Sequence, residues 1–153
     1  MKRHEALNPL SHHHHHALLM AVEMKKAGTK DNKKKYKELI RELIDFWEGD
    51  EEDHFRDEEE TLYPLYLVHA ENANTELVKE VLYQHAQIRG GLVHSLRENQ
   101  QTSYDKMQQL GNLLEKHVRL EERELFPLIE QAVPEKYLYQ ANGKFHRDSY
   151  SGY

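Results

Sequence analysis

Two stretches of this chain, HFRDEEETLYPL (His54–Leu65) and HVRLEERELFPL (His117–Leu128), follow one pattern, H-x-R-x-E-E-x-x-L-[YF]-P-L. In each, a glutamate follows a histidine by four residues. That is one turn of an α-helix, so both side chains share a face. The face is the apolar one. His54 lies seven residues after Trp47 and ten after Ile44, and His117 lies seven after Leu110 and four after Leu113. A fold that buries these positions must compensate each carboxylate, because a buried charge without a partner costs several kcal/mol.

Four long segments carry apolar residues at helical spacing, and none alternates as a strand would. The first is expected over about Leu10 to Ala27, with Ser11 as N-cap and Gly28 past its C-terminus. The second begins near Asn32 and carries Leu39, Ile40, Leu43, Ile44 and Trp47 on one face. Gly49 weakens it by about 1 kcal/mol relative to Ala, and Pro64 is expected to kink or end it. The third covers about Thr75 to Glu98, with Leu77, Val78, Val81, Leu82, Ile88 and Leu92 as its stripe. The fourth covers about Ser103 to Gln131, with Leu110, Leu113, Leu114, Leu120, Leu125 and Leu128, and with Pro127 disturbing its last turn. Short polar connections favour antiparallel neighbours. The expected fold is therefore all-α, an antiparallel up-down-up-down four-helix bundle over residues 1–133. Residues 134–153 form a Tyr-rich C-terminal tail in which no chemistry is apparent.

A histidine interrupts each stripe. In the third helix His85 lies four residues after Val81 and three before Ile88. The first helix is ambiguous, because His12–His16 are consecutive. With position 14 as reference, Ala17, Leu18, Ala21, Val22 and Met24 fall within roughly 80° on either side at 100° per residue. His14 is nearest the inward centre, and His15, over Leu18, Leu19 and Val22, is its rival. The run sits within a helical stripe and is read as part of the fold. No inward Lys or Arg stands level with Glu58 or Glu121, although Arg89 is one turn from His85. Cations between the helices would pair both carboxylates and take the imidazole lone pairs, and two carboxylates with histidines suit a dinuclear centre. Imidazole with carboxylate fits iron, zinc or manganese. Glu59, Glu60, Glu122 and Glu124 read as solvated flank or as outer partners, and Glu48–Glu60 as a mostly solvated acidic face. Tyr63 and Phe126 read as packing residues, and His69 and His94 as surface residues.

Composition removes other chemistries. The 153 residues include no Cys, which excludes disulfides, thiolate metal sites and cysteine nucleophiles. A formal charge of −6 opposes a general nucleic-acid binder. The lysines of KKAGTKDNKKKYK read as a solvated connection between helices. No apolar run is long enough for a membrane span, and no signal-peptide stretch stands at the N-terminus, so the expected location is cytoplasmic. No nucleophile, general base or phosphate-binding loop stands apart from the candidate ligands, so no catalytic reaction is assigned.

The doubled motif, the early histidine after LS and the lone mid-chain histidine resemble the hemerythrin-like, or HHE cation-binding, domain family over about Leu7 to Ile129. The resemblance implies a non-haem di-iron centre inside the bundle. Glu58 and Glu121 would bridge the two iron ions, and His14, His54, His85 and His117 would be terminal ligands. This chain departs from the oxygen carriers of the family. They have a fifth histidine where Val81 stands, and an aspartate five residues after the last histidine where this chain has Glu121 at four. The pattern resembles more closely the bacterial and regulatory members. A ferritin-like di-iron bundle is the nearest rival, but it needs two E-x-x-H pairs. Glu51 and His54 make one, whereas Leu114 stands where the partner of His117 should be. The expected function is binding of, or reaction with, O2, NO or peroxide. Its alternatives are a metal-binding regulatory or storage module holding zinc or manganese, and a plain bundle that mediates partner contacts.

Overall fold

The structure is a computed structural model that describes residues 2–97, 104–141 and 144–146, with residues 94–97 as backbone only. Four helical rods form the bundle. The first is Asn8–Lys26. It is preceded by a 3₁₀ turn, Glu5–Leu7, whose first free amide donates to the His4 ring at 3.1 Å. Pro9 occupies its first turn, where a missing N–H costs nothing. The helix thus starts ahead of Ser11, and the Ser11 hydroxyl donates instead to Glu122 on the fourth rod. Gly28 follows the last turn with φ of 76°, as a glycine stop requires.

The second rod runs without a break over residues 36–69, the third over 75–97 and the fourth over 104–132. The expected helix ends at Glu98 and Ser103, and residues 142–143 and 147–153 of the C-terminal tail, lie outside the described residues. Asn74 caps the third rod through its side chain, which accepts from the Leu77 amide at 3.0 Å.

Neither motif proline ends its helix. Each is preceded by a π-turn, Glu58–Leu62 before Pro64 and Glu121–Leu125 before Pro127. There the amides of Tyr63 and Phe126 donate five residues back, to the carbonyls of Glu58 and Glu121. The α ladder is already interrupted at that point, so a residue without an N–H leaves few carbonyls stranded, and the wider turn gives the ring room. Gly49 lies in a further π-turn, Trp47–Glu51.

Two apolar clusters fill the bundle. One joins Ala17, Met24, Leu43, Trp47, Ile88, Leu114 and Val118, and the other joins Leu10, Leu62, Val81, Leu125, Phe126 and Ile129. Every rod contributes to both, so a level exists on every rod where one cluster stops and the other has not begun. The first and fourth rods pass close to one another at Gly111. A Cβ there would stand 2.8 Å from Met24 Cβ and 3.1 Å from the Ala21 carbonyl oxygen.

Some expected core and surface assignments change. Leu82 is 40% exposed rather than part of the inward stripe of the third rod. The acidic run is not mainly solvated, since Asp50, Glu51, Asp57 and Glu58 are all buried. Part of the tail packs on the bundle. Its helix Glu135–Gln140 buries Leu138 in the second cluster, and the His146 amide donates to Asp57 Oδ1 at 2.8 Å.

Candidate metal centre

The level between the two apolar clusters is polar. His14 stands between Leu10 and Ala17, His85 between Val81 and Ile88, and Glu121 between Val118 and Leu125. His54, Glu58 and His117 occupy the same level, and none of the six is more than 2% exposed. They make two overlapping sets, His14, His54, Glu58 and Glu121, and Glu58, His85, His117 and Glu121. Within each set the potential ligand atoms all lie within 4.8 Å of one another. Glu58 and Glu121 belong to both.

The imidazoles face each other in pairs. His14 Nε2 is 3.2 Å from His54 Nε2, and His85 Nε2 is 3.1 Å from His117 Nε2. The carboxylates reach the same atoms. His54 Nε2 lies 3.4 Å from Glu58 Oε2, His85 Nε2 3.2 Å from Glu58 Oε1, and His14 and His117 Nε2 lie 3.6 and 2.7 Å from Glu121 Oε1. Both oxygens of Glu58 and Oε1 of Glu121 are nevertheless buried without a hydrogen bond. Orphaned carboxylate oxygens facing converged ring nitrogens are a donor set for cations.

The ring nitrogens on the outer side are held. His14 Nδ1–H donates to Glu122 at 2.6 Å, His85 Nδ1–H to Glu59 at 2.5 Å and His117 Nδ1–H to Gln84 Oε1 at 2.7 Å. Each bond puts the proton outside and the lone pair inside, the tautomer a ligand needs. The outer carboxylates are fixed in turn. Arg3 binds Glu122 at 2.7 Å, and Arg89 binds Glu59 at 2.8 Å. The repeated Glu-Glu of the motif therefore divides its work. The first glutamate of each pair enters the centre, and the second steers a histidine on another rod.

The charges respond to this burial. Burial and the neighbouring Glu121 carboxylate push Glu58 well above the usual carboxylate range. Burial works against Glu121 in the same way, yet His117 beside it holds that group well below the range. Burial pulls His14 down, but the carboxylates of Glu121 and Glu122 beside it outweigh it and leave the ring raised to about 9. His54 is driven well below its ordinary value, first by burial and then by His13 and His14. One pair of acids and four imidazoles without a cation thus cannot all hold their ligand forms comfortably.

The expected site residues sort as follows. The structure brings together His14, His54, Glu58, His85, His117 and Glu121. It leaves out His15, which is exposed. That side of the first rod also carries Leu19, 47% exposed, and Val22, 37% exposed, so it faces solvent rather than the bundle. Val81 is fully buried within the second apolar cluster. Glu60 and Glu124 are exposed. His69 stacks on Tyr137 at 3.7 Å, away from the centre, and the side chain of His94 lies outside those described.

Sequence reasoning missed Gln84 and the hydroxyl of Tyr63. Tyr63 is buried and its OH donates to Glu121 Oε2 at 2.7 Å, 3.4 Å from His85 Nε2. Burial, then the charges of Glu121 and Glu58, raise its pKa well above the ordinary tyrosine value, so it stays a donor. No spacing rule marks either residue. Aromatic rings close the centre, with Phe55 stacked on His85 at 3.8 Å and Phe126 on His14 at 5.4 Å.

Fold and site together define a four-helix bundle with a cation-binding centre built from paired histidines and two shared carboxylates. The chain belongs to the hemerythrin HHE cation-binding domain family, whose model matches residues 6–129. Neither the curated proteins nor the solved structures provide a match to the chain. Among the described residues, no helix is long and apolar enough to cross a membrane.

Proposed function

We propose that this chain is a non-haem di-iron protein that binds or reacts with O2, NO or peroxide, in oxygen or redox sensing, iron handling or protection against oxidative and nitrosative stress. The carrying observation is the sharing of Glu58 and Glu121 by two four-donor sets, each completed by two imidazole Nε2 atoms. Two ions at one level are what shared carboxylates serve, and a nitrogen and oxygen donor set without sulfur suits iron. Four protein donors for each ion are fewer than an octahedral shell takes, which leaves positions for a small ligand. Iron held there would supply the affinity for diatomic ligands and the electron exchange that aromatic and aliphatic side chains lack. The protein's own part is to orient and exclude. Glu122, Glu59 and Gln84 keep the lone pairs of His14, His85 and His117 inward, Phe55 and Phe126 keep bulk water out, and Tyr63 holds a proton at Oη beside Glu121. We place this activity in the cytoplasm, with no nucleic-acid or membrane partner.

The test is metal analysis of protein from iron-replete cells, with an absorption spectrum in air. About two iron per chain, near-ultraviolet and visible bands of ferric ions, and a shift of those bands on adding azide support the reading. Colourless protein with stoichiometric zinc or manganese would point to a regulatory or storage module. A chain that takes up no metal would overturn both.

A further inference from the structure

A third group of donors lies outside this centre. His13 and His16 stand three residues apart on the first rod, and Asp50 faces them from the π-turn of the second. One ligand atom from each lies within 4.8 Å of the others. His13 is fully buried, Asp50 is 7% exposed and His16 is half-buried. The group borders a surface groove lined also by Glu23, Lys34, Glu42 and Asp45. Four carboxylates, Asp50 included, face one lysine in that groove, and Lys34 is bound to Glu42 at 2.6 Å. The groove therefore favours cations.

The histidine geometry repeats the pattern of the centre. His13 Nε2–H donates to the buried Glu51 at 2.6 Å, which puts the imidazole lone pair on Nδ1. His14 and His85 are held by outer glutamates in the same manner. Phe46 fixes both rings of the group, stacked on His13 at 5.6 Å with planes 5° apart, and edge-on to His16 at 4.8 Å. Rings held in place in this way lose little freedom on ligation. The His13 ring also lies 4.5 Å from that of His54, so the group adjoins the centre without sharing a donor with it.

We propose that His13, His16 and Asp50 form a third, mononuclear site for a divalent first-row transition metal, open to solvent through the acidic groove. Two imidazoles and one carboxylate leave further positions to water, and they exclude Mg²⁺ and Ca²⁺, which prefer all-oxygen shells.

The test uses the full chain, stripped of metal and titrated with Co²⁺ alone, following bound metal at equilibrium and the cobalt absorption bands. The expected result is three equivalents for the unmodified protein. Asp50→Asn and His16→Ala should each bind two, with one set of cobalt bands gone, while a His12→Ala/His15→Ala double variant keeps three. His117→Ala should weaken the central uptake and retain the third equivalent. Third-site uptake that survives both Asp50→Asn and His16→Ala would overturn the proposal. So would its loss in the His12→Ala/His15→Ala variant, which would assign it to the exposed histidines, or a limit of two equivalents lost only in His117→Ala. A single equivalent lost in Asp50→Asn would support this site while refuting the dinuclear centre.

Discussion

At the scale of single residues, the account turns on carboxylates that water cannot reach. Glu121 is fully buried with Oε1 unbonded, and His117 Nε2 lies 2.7 Å from that oxygen. Replacing His117 by Ala removes a ligand and leaves that charge exposed to a dry interior. Metal content should fall by half or more, and stability by about 3–5 kcal/mol, the range for breaking a buried ionic contact. Elemental analysis and denaturant unfolding check both. His15→Ala and His69→Ala should leave metal content unchanged, because neither ring enters the centre. The sequence separates His14 from His15 only narrowly. Consecutive histidines step around a helix by 100°, and the surrounding residues separated the two only weakly, since Val22 counted as inward for both. The third group escaped notice for the same reason. A histidine run on one helix does not reveal that Asp50 and Glu51 come to meet it.

At the scale of elements, the close crossing of the first and fourth rods depends on Gly111. In an open helix Gly→Ala gains about 1 kcal/mol. Here the added methyl group meets Met24 Cβ and the Ala21 carbonyl oxygen, and backbone cannot step aside as a side chain tip can. Gly111→Ala should therefore reverse the sign and cost about 1–3 kcal/mol, read as a lower melting temperature. A gain in stability would show that the rods have room to part. The helices themselves were legible because their stripes recur at helical spacing over many turns. The π-turns were not. A turn with one extra residue leaves the apolar pattern almost intact, and on sequence alone Pro64 is expected to kink or end its helix and Pro127 to disturb the last turn of its own. In the structure Glu58 and Glu121 each open such a turn, and the proline six residues on is tolerated because of it. The repeated H-x-x-x-E-E-x-x-L-[YF]-P thus encodes a widened turn at each shared glutamate as well as the ligands. The positions of Gln84 and of the Tyr63 hydroxyl depend on which rods become neighbours, and no single segment records that.

At the scale of the whole molecule, the ionisable layer links stability to pH and to metal. Without a cation, His14 has a pKa raised to about 9 in the folded chain against an ordinary value of 6.5. Its contribution, on the order of 3 kcal/mol, is complete below pH 6.5 and is lost as pH rises through about 9. The metal-free protein should accordingly show a falling melting temperature over that window. His14→Gln should flatten the fall, and bound metal should do the same, because a ligand imidazole has already given up its proton. A metal-free melting temperature that stays level from pH 6.5 to 9.5 would count against the paired His14. Acid should act on the metal-loaded form instead, releasing metal as imidazoles and carboxylates take up protons. The most direct measurement of the central claim is anomalous diffraction from crystals of the chain loaded with iron. The account predicts two peaks at the level between the apolar clusters, both within bonding distance of Glu58 and Glu121, with His14 and His54 on one and His85 and His117 on the other. Glutamates turned out to solvent, with no scatterer between the rods, would contradict it.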